Sequence, residues 1–107
     1  MIKMNSYAEL EVIFEDPALL ISGFNSIKKF IDNLECVSTN APSWIIASCK
    51  DIFIKSMIIF EENITIQSTS KANINIRLEG DTEKISKITS ELIKIVKDSG
   101  GGLLLKA

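Results

Sequence analysis

The chain of 107 residues is 46% hydrophobic and 24% charged, with 12 basic against 14 acidic side chains. That composition describes one compact globular domain over residues 1–107, long enough to bury a core without disulfides or a metal. The absence of histidine excludes triads, imidazole acid–base chemistry and His-ligated metals, and a net charge of −2 offers no bulk field for nucleic acid or anionic membranes.

Glu9 and Glu11 interrupt any apolar leader, and Lys50, Asp51 and Lys55 break the most apolar stretch short of a membrane span. A cytoplasmic protein with no membrane partner is expected. Residues 7–15 alternate, with Ala8, Leu10, Val12 and Phe14 on one side and Glu9, Glu11 and Glu15 on the other, which predicts a half-buried strand. Asp16-Pro17 supplies an N-cap and a proline for the first helical position. Leu20, Phe24, Ile27, Ile31 and Leu34 then recur at spacings of three and four, predicting a helix from about residue 17 to 34.

Residues 35–43 are polar and turn-rich and read as a loop. The stretch 44–60 admits two readings. The first is a pair of strands, Trp44–Cys49 and Ile52–Phe60, joined by a tight Lys50-Asp51 turn. The second is a helix opening at Pro42, with Ile45, Cys49, Ile52 and Phe53 at helical spacing. The density of β-branched residues favours strands. Glu61-Glu62-Asn63 reads as a hairpin loop, residues 64–69 as a further strand, and residues 72–79 as another.

Gly80-Asp81 ends that strand and caps a second helix, whose apolar stripe is Ile85, Ile88, Leu92, Ile95 and Val96. Gly100-Gly101-Gly102 stops that helix in the C′ position, where a left-handed cap is one expectation, and Leu103-Leu104-Leu105 is either a short edge strand or a docked tail. The order β-α-β-β-β-β-α, with a possible last strand, predicts an α+β two-layer sandwich. Two helices would pack on one face of a mostly antiparallel sheet of four to five strands.

The chemistry-bearing residues form no converging set, so no catalytic residue, cofactor or metal ligand is assigned and the chain does not read as an enzyme. Glu9 and Glu11 share a strand face but look solvent-facing, which leaves a carboxylate a poor general acid at neutral pH. Gly100-Gly101-Gly102 follows a helix rather than preceding one, so it faces the wrong end of the dipole for phosphate. Cys36 and Cys49 lack a CxxC spacing; a redox pair is one reading, and two small buried hydrophobes kept reduced is the preferred one. Lys84, Lys87, Lys94 and Lys97 lie among Glu83, Glu91 and Asp98, the pattern of a solvated helix face. With eleven Lys and a single Arg, Arg77, the chain is poorly equipped for bidentate reading of base edges.

The informative anomaly is apolar. Outward positions on the flanking strands are polar, whereas in residues 44–60 both parities are apolar. If Ile52, Ile54, Ile58 and Phe60 face the helices, then Trp44, Ile46, Phe53, Met57 and Ile59 form a lysine-rimmed patch on the opposite face. Such patches mark partner surfaces. A third helix over residues 44–53, or a tail folded across the patch, would explain the same residues without a partner.

The expected function is therefore a non-catalytic interaction or assembly module, a homodimer or a small accessory subunit of a larger complex, that binds a protein partner or itself through that patch. Two alternatives stand beside it. A nucleic-acid-associated factor would use the lysines of the second helix with Lys28 and Lys29. A small-ligand regulatory domain would line its pocket with Cys36 and Cys49. No motif identifies a family. In element order alone the chain resembles half-repeats of sliding clamps and of TATA-binding proteins, and small dimeric scaffold subunits of tRNA-modifying complexes. A shared layout transfers no function by itself.

Overall fold

The computed structural model describes residues 5–61 and 71–106. Strand β1 (Asn5–Ile13) leads into helix α1 (Pro17–Asp32), followed by β2 (Val37–Ala41), β3 (Trp44–Cys49), β4 (Ile52–Glu61) and β5 (Lys71–Asp81). Helix α2 (Thr82–Asp98) and strand β6 (Gly102–Leu105) complete the order. The strands form one six-stranded sheet in the order β2-β3-β4-β5-β1-β6, every pair antiparallel. The architecture is thus α+β, with more strands than the four to five expected.

The additional strand is β2. Its sequence, Val-Ser-Thr-Asn-Ala, reads as loop because none of its residues is buried, and without a buried face there is no alternation to detect. It is held instead by pairing with β3, from Val37↔Ser48 to Ala41↔Trp44, across the two-residue connection Pro42-Ser43. The helical reading of residues 44–53 is not adopted. Cys49 pairs with Ile52 across Lys50-Asp51, where Asp51, the second residue of the turn, takes a left-handed conformation (φ 67°) that Asp tolerates. Glu61, expected in a hairpin loop, ends β4 opposite Lys71; the expected strand at residues 64–69 lies outside the described residues.

Both helices begin as their sequences dictate. Asp16 Oδ1 accepts from Ala18 N at 2.9 Å ahead of Pro17, and Asp81 Oδ2 accepts from Lys84 N at 3.2 Å. Helix α2 ends in a Schellman arrangement: Gly101 N donates to Val96 O at 2.9 Å, and Gly100 N to Lys97 O at 3.1 Å. Gly100 adopts φ 86°, which a side chain would strain. Gly80, at φ 143°, sits so close to the β3–β4 turn that a Cβ would stand 2.8 Å from Ile52 Cα.

The core lies between the helices and one sheet face. Leu20, Phe24, Ile27 and Ile31 of α1 are buried with Ile85, Ile88, Leu92 and Val96 of α2, over Leu10, Val12, Ile45, Ile54, Ile74 and Ile76. The sheet parity follows. Ser56 shares this buried face and is fully covered, and among the described residues its hydroxyl has no hydrogen-bond partner. Among the described residues the opposite face of the sheet carries no helix, and it positions the candidate site.

Candidate functional site

Register decides what meets on the helix-free face. Trp44 stands opposite Met57, Ile46 opposite Lys55, and Ser48 opposite Phe53. Ile59 follows Met57 by one pleat along β4. Ile46 is the diagonal neighbour of both Met57 and Phe53, at the roughly 7–8 Å over which long side chains still touch. The five residues expected as a patch therefore share one face of two adjacent strands, with Lys55 interrupting them between Phe53 and Met57. Trp44, Ile46 and Met57 are half-buried, while Phe53 and Ile59 are 42% and 37% exposed.

Across the sheet the same face turns polar. On β5 it presents Asn73, Asn75, Arg77 and Glu79; on β1 it presents Tyr7, Glu9, Glu11 and Ile13. Glu9 and Glu11 are not the freely solvated row expected of them. Asn75 Nδ2 donates to Glu9 Oε1 at 2.9 Å and Asn73 Nδ2 to Glu11 Oε1 at 2.8 Å. Arg77 Nε lies 3.5 Å from Glu9 Oε1, and Lys106 Nζ lies 3.1 Å from Glu11 Oε2. The Asn75 amide holds the Glu9 carboxyl below its ordinary value, aided by Arg77 and opposed by partial desolvation. A carboxyl shifted downward is a hydrogen-bond acceptor at neutral pH, not a proton donor. The network's chemistry is to satisfy and immobilise charge.

Four large apolar side chains missing from the expected patch belong to this face: Tyr7, Ile13, Val37 and Leu104, exposed by 46%, 43%, 82% and 54%. Ile13 lies between Val12 and Phe14 and Leu104 between Leu103 and Leu105, so neither is set off by alternation, and Tyr7 and Val37 are isolated large apolar residues. Only the strand order β2-β3-β4-β5-β1-β6 shows which face each joins.

The cysteines do not behave as two separate thiols. Cys36 and Cys49 are joined in a disulfide, their Cα atoms 4.4 Å apart. The cause is the unexpected strand β2, because Cys36 and Cys49 form the next opposed pair beyond Val37↔Ser48. Oxidised, they offer no thiol to line a ligand pocket. Cys49 does border a shallow surface depression at the β3–β4 turn, with Ser48, Asp51, Phe53 and Glu79.

The lysines considered for nucleic acid are partly engaged by the chain itself. Lys84 Nζ donates to Lys50 O at 2.8 Å and lies 3.4 Å from Asp51 Oδ2, while Lys94 pairs with Glu91 at 3.8 Å. Lys28 Nζ donates to Ala41 O at 3.1 Å and lies 5.7 Å from the Phe24 ring centroid. Among the described residues no group of three or more Cys, Asp or Glu is placed to hold a metal, and no helix is long and apolar enough to cross a membrane. No protein-family model matches the chain, and no curated protein shows significant sequence similarity to it.

Proposed function

We propose that this chain is a non-catalytic assembly module of the cytoplasm that pairs with a second copy of itself through the helix-free sheet face. The observation that carries the reading is the contiguous row Trp44, Ile46, Met57 and Ile59, with Phe53 at its end, on a face that neither helix covers. Aromatic residues and Met are enriched at such surfaces.

Charge and size favour a second copy as the occupant. Among its described strand and flanking residues the face sets Glu9, Glu11 and Glu79 against Lys55, Arg77 and Lys106, so like meets like without net repulsion. The two inner carboxylates already have partners and can be covered without leaving unpaired charge. Six strands span about 24 Å, and nine residues about 30 Å along the strand. The resulting face approaches the roughly 800 Å² that a standard interface takes from each partner.

Light scattering on the purified chain tests this. A dimer is expected for the wild type, and a folded monomer for Phe53→Glu with its unfolding midpoint retained. A monomeric wild type, or a Phe53→Glu variant that remains dimeric, would overturn the self-pairing. A steep loss of an observed nucleic-acid complex with salt would instead favour the lysine face of α2.

A further inference from the structure

Strand β2 is one of the two weakly anchored edge strands of the sheet. It lies at an edge, none of its five residues is buried, and Val37 is 82% exposed. Beyond its ladder to β3, two described contacts hold it: Lys28 Nζ to Ala41 O at 3.1 Å and Ser38 Oγ to Asp32 Oδ1 at 3.3 Å. Its neighbour β3 differs, burying Ile45 and Ala47 and pairing with β4 on its other side. A short exposed ladder without buried side chains belongs to the low end of local stability.

At the open end of this ladder lies the disulfide. The Cα separation of 4.4 Å is that of a directly opposed, non-hydrogen-bonded antiparallel pair. Both cysteines are half-buried at the margin of the core, so the bond is not sealed beneath the helices. The Pro42-Ser43 turn closes the other end of the ladder. Strand β2 is thus held at one end by the turn and at the other by a bond that thiol chemistry can open.

We propose that the Cys36–Cys49 disulfide is a reversible clasp on β2, and that a dithiol reductant opens it and releases β2 from β3 while the rest of the sheet stays folded. A thiolate of the reductant attacks one protein sulfur, forming a mixed disulfide and expelling the other sulfur as a thiolate. The second thiol of the reductant then displaces the remaining protein sulfur. One S–S bond breaks in the protein and one forms in the reductant, and two electrons and two protons pass to Cys36 and Cys49. Release removes the polar cover of Ser38, Thr39 and Asn40 and bares the backbone edge of β3. The inference does not rest on the self-pairing reading, since its readout is the protection of β2 within the chain, although β2 borders the helix-free face with Thr39 opposite Ile46 and Ala41 opposite Trp44.

Amide hydrogen exchange on the full chain, before and after incubation with dithiothreitol, decides it. On reduction, exchange in residues 37–41 is expected to accelerate by about tenfold or more, while β1 and β5 keep their protection. The double variant Cys36→Ser, Cys49→Ser should show the reduced pattern with no reductant present, and reoxidation should restore protection to the wild type alone. Unchanged protection of β2 once both thiols titrate as free would overturn the proposal. So would loss of protection across the whole sheet, or two free thiols in the air-purified protein.

Discussion

The ring of Phe14 lies against Gly23 so closely that a Cβ built on Gly23 would stand 3.0 Å from Phe14 Cε2. Gly101 meets the same ring, with a Cβ there reaching 2.7 Å from Cε1. One side chain just past β1 therefore docks against α1 and against the exit of α2. Two glycines, Gly23 within α1 and Gly101 just past α2, serve as the contact surface.

Gly23→Ala is accordingly expected to destabilise the protein. In an exposed helix interior the change gains about 1 kcal/mol. Here the added methyl overpacks a buried ring, at about 1–3 kcal/mol, and Gly101 blocks the ring's retreat. Urea denaturation should show a net loss; a gain in stability would mean that the ring moves aside freely.

Phe24→Ala should cost about 3–5 kcal/mol, because Phe24 is 1% exposed and sits in the middle of the α1 stripe. A loss smaller than about 1 kcal/mol by the same measurement would show that α1 is not seated as described.

Ser56→Ala is expected to be neutral or to stabilise by about 1 kcal/mol. The hydroxyl is fully buried among Ile45, Ile76 and their neighbours and has no described partner, so its removal relieves a desolvation cost. A clear loss of stability would reveal an acceptor for that hydroxyl.

The Glu9 carboxyl should titrate below the usual glutamate value of about 4.3, as read by NMR of its side-chain carbon. Because its folded value is depressed, its contribution to stability is present above the unfolded value and is lost as pH falls through the folded one. Asn75→Ala should move the midpoint up toward the ordinary value. An unmoved midpoint would remove the Asn75 hydrogen bond as the cause.

How much of this was legible in the sequence follows from where side chains are buried. The stripe of α1, the stripe of α2 and the alternation of β1 and β5 could be read directly, since each element buries one face and a buried face leaves a period. The caps were legible for a local reason: Asp16, Asp81 and the run Gly100-Gly101-Gly102 act on backbone groups within five residues, although only the structure shows which glycine turns left-handed. The double-apolar parity of residues 44–60 was legible too, and it placed Trp44, Ile46, Phe53, Met57 and Ile59 on one face.

What only the tertiary structure decided is pairing between segments distant in sequence, and pairing across an edge. β2 buries none of its residues, so its hydrogen bonds to β3 left no hydrophobic signature, and without β2 nothing placed Cys36 opposite Cys49. Glu9 looked solvent-facing because its partner Asn75 lies 66 residues away and becomes its neighbour only when β5 pairs with β1. Tyr7, Ile13 and Leu104 joined the helix-free face by the same route. Side-chain periodicity is a property of one segment and survives in the sequence; strand order and register are relations between segments, set by which edges the folded chain brings together.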